Sequence, residues 1–325
     1  MKKIILDVDT GSDDAVAIMT AVLSPAVELT ALCTVWGNLS VEKTTFNTLA
    51  VSEALNAHVP VYKGAHTAMV KYLTPNRSLE QRDYHPIKIN GKELRIHTET
   101  LEGIPSPKGI AQNLPASLFY VEYLKNAASP ETLVAVGPLT NLGLALTMDP
   151  SIVKNIERIV IMGGGCDTAN SSLCSEANIW HDPEAAQKVI NSGAEILLVP
   201  LDATHAAALN LDDCAKLESL GSFAGNFSAS LIKSRIEYEN ALFHKPINKT
   251  AVHDALAVCA VIDETVLKDV RAVHAEIGLN DYGEGSVLID CRRKPSKKNI
   301  RFAYAADHDK FISMLCKIFM QKKEL

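Results

Sequence analysis

The chain has 325 residues, 47% of them hydrophobic and 22% charged, a balance that supports a packed core and excludes a disordered or fibrous protein. Its formal charge is −6, and it lacks the basic stripe needed to displace counterions from nucleic acid. No segment reaches membrane-spanning length, so neither nucleic acid nor a bilayer is an expected partner. Short apolar runs rich in β-branched residues read as buried strands at 4–8, 28–35, 132–136, 158–162 and 195–201. Between them, helix-like segments fall at 13–23, 41–56, 116–127, 142–148 and 183–191. Region 221–250 opens with a long helical stretch and ends in a polar loop at 244–249. A helix is then expected over 250–262, strands with Gly-rich turns over 270–305, and a last helix from 308.

Strand–helix alternation of this kind predicts an α/β fold, an open, mostly parallel central sheet with helices on both faces. It is expected as one domain over residues 1–325, with a mobile helical region at 221–250. In that architecture ligands bind beyond the carboxyl ends of the strands. Residues 64–115 break the rhythm with five prolines and little periodicity, as either a functional lid or a passive surface excursion. The basic patch Arg292, Arg293, Lys294, Lys297 and Lys298 is interrupted by Pro295 and reads as a solvated turn. Seven cysteines without a C-x-x-C pair suggest a reducing compartment. The run Ile4-Ile5-Leu6 meets Asp7 too soon for a signal-peptide core, so a cytoplasmic location is expected.

The first strand ends in Asp7-Val8-Asp9-Thr10-Gly11-Ser12-Asp13-Asp14. Four carboxylates in eight residues repel one another unless a positive charge offsets them. A helix N-terminus supplies only part of a charge, to the nearest groups. Capping by Ser12 and Asp13 accounts for one or two acids, whereas a bound Ca²⁺ or Mg²⁺ with oxygen ligands accounts for all four. Gly11 fits a tight turn that aims the carboxylates inward. The same Asp-x-Asp spacing also suits a haloacid-dehalogenase-type phosphatase, with Asp7 as nucleophile and Asp9 as general acid. That class carries a later Gly-Asp-x-x-x-Asp motif, and this chain has no Gly-Asp pair.

Asp7 to Ala15 resembles the N-terminal signature of the inosine–uridine-type ribonucleoside hydrolases. Further segments match in the same order: Trp36-Gly37-Asn38, Val136-Gly137-Pro138-Leu139-Thr140-Asn141, Ile161-Met162-Gly163-Gly164-Gly165, Glu176-Ala177-Asn178 leading into Asp182-Pro183-Glu184-Ala185-Ala186, and His253-Asp254-Ala255. Val41-Glu42-Lys43-Thr44-Thr45 after Asn38 places it nearest the bacterial hydrolases of broad range. The chain departs from the family pattern at His97-Thr98-Glu99-Thr100-Leu101, where His-Gly-x-x-Gly is usual, and at Thr10, where Pro is common.

The resemblance implies a Rossmann-like nucleoside hydrolase fold and calcium-dependent cleavage of a ribonucleoside to ribose and free base. It implies one Ca²⁺ held by Asp9, Asp14, Asp254 and the Val136 carbonyl, with Asp9 also the general base for water. Asp13, Asn38, Asn170, Glu176 and Asn178 would hydrogen-bond the sugar, and Met162 would pack on its face. Asp7 would support the cluster from behind. His253 would act as acid toward the leaving base, with His97 and Tyr238 near that base. Some residues have a plainer reading: Asn170 as a turn residue, Glu176 and Asn178 as caps for the helix at Pro183, Asn141 as a cap, Met162 as core and His253 as a structural histidine of an apolar helix. A homodimer or homotetramer is the family habit. An inactive nucleoside-binding protein is the remaining alternative.

Overall fold

The run from Ile4 to Val8 is apolar on both sides because its strand lies inside a sheet covered on both faces. The computed structural model describes residues 1–73, 86–89 and 91–320. Eight strands form the main sheet: β1 (Lys2–Val8), β2 (Val27–Thr34), β3 (Val61–Lys63), β4 (Glu131–Ala135), β5 (Ile156–Met162), β6 (Ile196–Val199), β7 (Leu267–Val273) and β8 (Ile300–Ala306). Their spatial order is β7-β8-β6-β5-β4-β1-β2-β3. All neighbours pair in parallel except β7 and β8, which are antiparallel at one edge.

The helices are α1 (Ser12–Leu23), α2 (Val41–Ala54), α3 (Ala116–Asn126), α4 (Thr140–Met148), α5 (Ala177–His181), α6 (Pro183–Ile190), α7 (Leu201–Ala206), α8 (Leu211–Ser219), α9 (Phe223–Leu242), α10 (His253–Ile262) and α11 (His308–Phe319). The strand period of two sorts them onto faces. Ile4, Leu6 and Val8 of β1 join a core with α1, α9, α10 and α11, whereas Ile5 joins one with α3, α4 and α6. Asp7 shares the face of Ile5, which decides its neighbours below.

Two expectations need correction. Residues 64–115 are not uniformly irregular, because Ile87–Ile89 and Lys92–Leu94 pair as an antiparallel hairpin. Leu94 packs against Tyr238 and Ala241 of α9, so the two stretches least readable in sequence cover one another. The helix expected from 250 starts at His253, since Lys249–Thr250 instead pairs with Leu209–Asn210. Among the described residues no helix is long and apolar enough to cross a membrane.

Candidate active site

Strand order runs outward in one direction from β1 to β3 and in the other from β4 onward, so the crossovers diverge between β1 and β4. A crevice opens at the carboxyl ends of the strands at such a switch point. The turn from β1 into α1 fills this one with acid. Asp14 holds the turn, accepting the amides of Asp9 at 3.0 Å and Gly11 at 2.9 Å. Asn38 stands over it, its amide donating to Asp9 Oδ2 at 2.6 Å and its side chain to Asp14 Oδ2 at 3.3 Å. Thr10, at the position where Pro is common, ties the turn to α2 through the Thr48 hydroxyl at 2.6 Å. Gly11 has a negative φ of −106°, so the tight turn is not what requires it. A Cβ there would lie 2.2 Å from His97 Nδ1, and the glycine makes room for that ring.

The carboxylates are nearly sealed from water, with Asp14 at 0% and Asp9 at 1% exposure. Oxygens of Asp13, Asp14 and Asp254 all lie within 4.8 Å of one another. Asp254 arrives from the first turn of α10, whose long contact with α1 brings the two acidic ends together. Burial, then repulsion from Asp14 and Asp13, pushes the Asp9 carboxyl well above the usual range. Burial, then Asp13, takes Asp14 up to about 7. Asp254 rises well above the range through burial and the charges of Asp13, Asp14 and Asp9. Asp13 alone falls: burial would raise it, but the Arg235 guanidinium 3.0 Å away, then His253 and His97, outweigh that. Asp9 Oδ1 and Asp13 Oδ1 are buried without a hydrogen-bond partner among the described residues.

The opposite wall comes from the ends of β4 and β5. Asn178 donates to the carbonyls of Val136 at 2.8 Å and Met162 at 3.1 Å, linking the two strand ends. Glu176 is a cap, but for α5 rather than for the helix at Pro183: its carboxylate accepts the amides of Asn178, Ile179 and Gly164. Asp182 caps α6 through the Ala185 amide at 3.1 Å. Asn170 shapes the loop by accepting the Ala177 amide at 2.9 Å. Met162 is both core and wall, 3% exposed with its sulfur 3.4 Å from Asn178 Nδ2.

One cavity is lined by Asp13, Asn38, His97, Val136, Met162, Asn170, Glu176, Asn178, His253 and Asp254, while Asp9 and Asp14 lie behind Asn38. Burial lowers His97 to about 4, the Asp13 charge notwithstanding. Burial and then Arg235 lower His253 to about 3, leaving a neutral ring whose Nδ1 meets the Thr204 hydroxyl at 2.7 Å.

The family model for inosine-uridine preferring nucleoside hydrolases matches residues 4–313. The chain belongs to this family. A non-specific ribonucleoside hydrolase RihC of Klebsiella pneumoniae (strain 342) is 42% identical over 220 residues, 67% of each chain. The RihC of Salmonella agona (strain SL483) is 34% identical over 97% of each chain. The solved purine-preferring ribonucleoside hydrolase from Gardnerella vaginalis superposes with a TM-score of 0.84 at 28% identity, covering 98% of each chain. The chain is therefore an enzyme of the nucleoside hydrolase fold.

Within that family frame three expectations change. Asp7 cannot serve as a phosphatase nucleophile, because it faces away from the cavity. It accepts the Tyr120 hydroxyl at 3.0 Å and the Asn141 amide at 3.1 Å, and burial raises it to about 7 despite both bonds. Asn141 does not cap its helix: the same amide group also donates to Thr34 O, and its oxygen accepts Ala65 N. Tyr238 does not line the cavity but is buried under the hairpin, 2% exposed. The residue of α9 that does line it is Arg235, one turn earlier. A lone Arg in a helix carries no local signal, and only its helical spacing from Tyr238 pointed to that face.

Proposed function

We propose that this chain hydrolyses the N-glycosidic bond of purine and pyrimidine ribonucleosides, giving ribose and a free base, with one Ca²⁺ bound. The observation that carries the reading is the buried acid cluster whose Asp9 Oδ1 and Asp13 Oδ1 lack partners beside a cavity walled by amides and carboxylates. Buried anions of this density need a cation, and an all-oxygen set suits a hard one. Asp9, Asp14, Asp254 and the Val136 carbonyl would hold it; the Asn178 amide uses one lone pair of that carbonyl and leaves the other. A cation held there would supply a grip on vicinal ribose hydroxyls and lower the pKa of bound water.

The protein's own groups do the rest. Asp9, through Oδ1, takes the proton of the attacking water. Asp13, kept ionised by Arg235, bonds the sugar together with Asn38, Asn170, Glu176 and Asn178, and Met162 lies against its face. Positive charge grows on the ribose as the bond to the base breaks. Carboxylates fixed beforehand favour that state over the substrate. His253 is neutral and so is no proton source; when Thr204 donates to Nδ1, the Nε2 hydrogen bonds the departing base, which takes its proton from water. The breadth of substrate follows the similarity to the RihC proteins, described as non-specific. We place the enzyme in the cytoplasm as a single-domain homodimer or homotetramer, which sedimentation would measure.

The test is release of base from inosine, uridine, cytidine and adenosine by the purified protein, before and after chelation. Turnover of all four, lost with chelator and restored by Ca²⁺, is expected. Binding of nucleoside without release of base would make this an inactive sensor instead.

A further inference from the structure

Lys71 lies in the stretch 64–115, yet only 3% of it is exposed. Its ammonium donates to the Trp180 carbonyl at 2.9 Å, stands 3.5 Å over the Trp180 ring and lies 3.4 Å from Glu284 Oε1. An ammonium is costly to bury unless it is paired and hydrogen-bonded, so a lysine here has a specific job to do. Trp180 and Glu284 belong to the two pieces that form and clasp the wall carrying Asn170, Glu176 and Asn178.

Trp180 is in α5, the short helix that Glu176 caps and that contains Asn178. Glu284 is in the turn after Asp281–Gly283, which grips the loop before α5. The Ser175 hydroxyl donates to the Glu284 carbonyl, and Cys174 Sγ lies 3.0 Å from the Tyr282 carbonyl. Ser175 O in turn accepts the amides of Asn170 at 3.1 Å and Ser171 at 2.9 Å. Gly285, with φ +76°, lets the turn lie flat on the helix: a Cβ there would be 2.5 Å from Trp180 Cα. Neither α5, of five residues, nor the turn can hold itself in place.

We infer that Lys71 is a positioning residue for the hydrolysis, one that fixes the wall formed by Asn170, Glu176 and Asn178 by pinning α5 and the Glu284 turn to each other. The inference rests on the proposed function for its link to catalysis, and on geometry alone for its link to the wall. It gives the stretch 64–115 a role distinct from covering the cavity: its first part is a brace.

Three variants test it: Lys71→Met, Lys71→Arg, and the double variant Lys71→Met with Glu284→Gln, which removes both charges of the pair. Hydrogen exchange of 170–178 is followed against that of β1 and β4, and kcat and KM are measured on folded protein. In both Met variants the wall should exchange at least about tenfold faster while the strands do not change. Their kcat/KM for inosine and uridine should fall about tenfold or more, mainly through kcat, since a small misplacement of positioning groups is enough for that. Lys71→Arg should recover much of both. If the double variant keeps wild-type exchange and kinetics, Lys71 merely neutralises Glu284 and the inference is wrong. Exchange rising uniformly over the sheet would overturn it equally, as loss of general stability. Should the unaltered enzyme release no base at all, the proposed function fails, and exchange at 170–178 still decides whether Lys71 positions the wall.

Discussion

The acidic turn between β1 and α1 and the cover formed by α9 with its hairpin meet across one cavity, but they are built differently. The turn is secured by its own backbone: Asp14 accepts amides three and five residues away, and Asn38 closes it from the end of β2. The cover reaches the site through single long side chains, the Arg235 guanidinium on Asp13 and the His97 ring over Gly11. Local bonds fix Asp9 and Asp14, whereas Asp13 also depends on the cover through Arg235. The cover therefore touches the charge cluster at one carboxylate, Asp13, through Arg235.

The largest effect should come from the turn. Asp9→Ala is expected to cut kcat by about 10³-fold, within the range for removing a general base, with KM changed far less. A variant retaining full turnover would place the base elsewhere. The cover should give a smaller and different loss. Arg235→Met is expected to raise KM about tenfold with a lesser change in kcat, because it removes the group that holds Asp13 and lines the cavity but touches no proton in flight. Without divalent cation it should also cost about 3 kcal/mol in urea unfolding, as a buried carboxylate loses its partner, and Ca²⁺ should restore most of this. Failure of Ca²⁺ to do so would mean that the two halves are not electrically joined.

A pair remote from the site supplies the smallest effect and a scale for the others. Burial would lower His308, but its bonds to Asp213 and Asp309 raise it. Burial would raise Asp213, but Lys216, the Asn210 amide and His308 lower it. The imidazolium contribution is complete below the unfolded value of about 6.5 and is lost as pH rises through the folded value. The carboxylate contribution is complete above about 3.9 and is lost as pH falls through its lowered value. His308→Ala should thus cost about 0.5 kcal/mol at pH 5.5, the size of a partly exposed pair, and less at pH 8.5. Equal losses at both pH values would show that packing of the ring, not its charge, is what α11 uses.

Much of this molecule was readable from sequence where structure is local. The central strands announce themselves as apolar runs because both faces are covered, and the turn at Asp9 and Asp14 because unbalanced charge at a strand end demands an explanation. Helices α5 and α7 span only five and six residues, too few turns for a periodic signal. Arg235, Lys71 and the second life of Asn141 were hidden for a different reason. Each acts on groups far along the chain, and a buried cation or amide looks like a surface residue until its partner is known. Tyr238 shows the converse: it lies on the helix that reaches the cavity, but about one turn along the axis separates a residue under the hairpin from one lining the cavity.

Asn141 carries a consequence for how the protein comes to be functional at all. Its amide reaches Asp7 over 134 residues of sequence, Thr34 over 107 and Ala65 over 76. None of those bonds can close until β1, β2 and the segment after β3 are seated beside α4, and closing such loops is entropically expensive early in folding. The exits of β1 and β2 are thus aligned only once these elements and α4 have come together. A partly folded chain has the aspartates but not their arrangement, so the ability to capture a cation should appear late and all at once, serving as a readout of finished assembly.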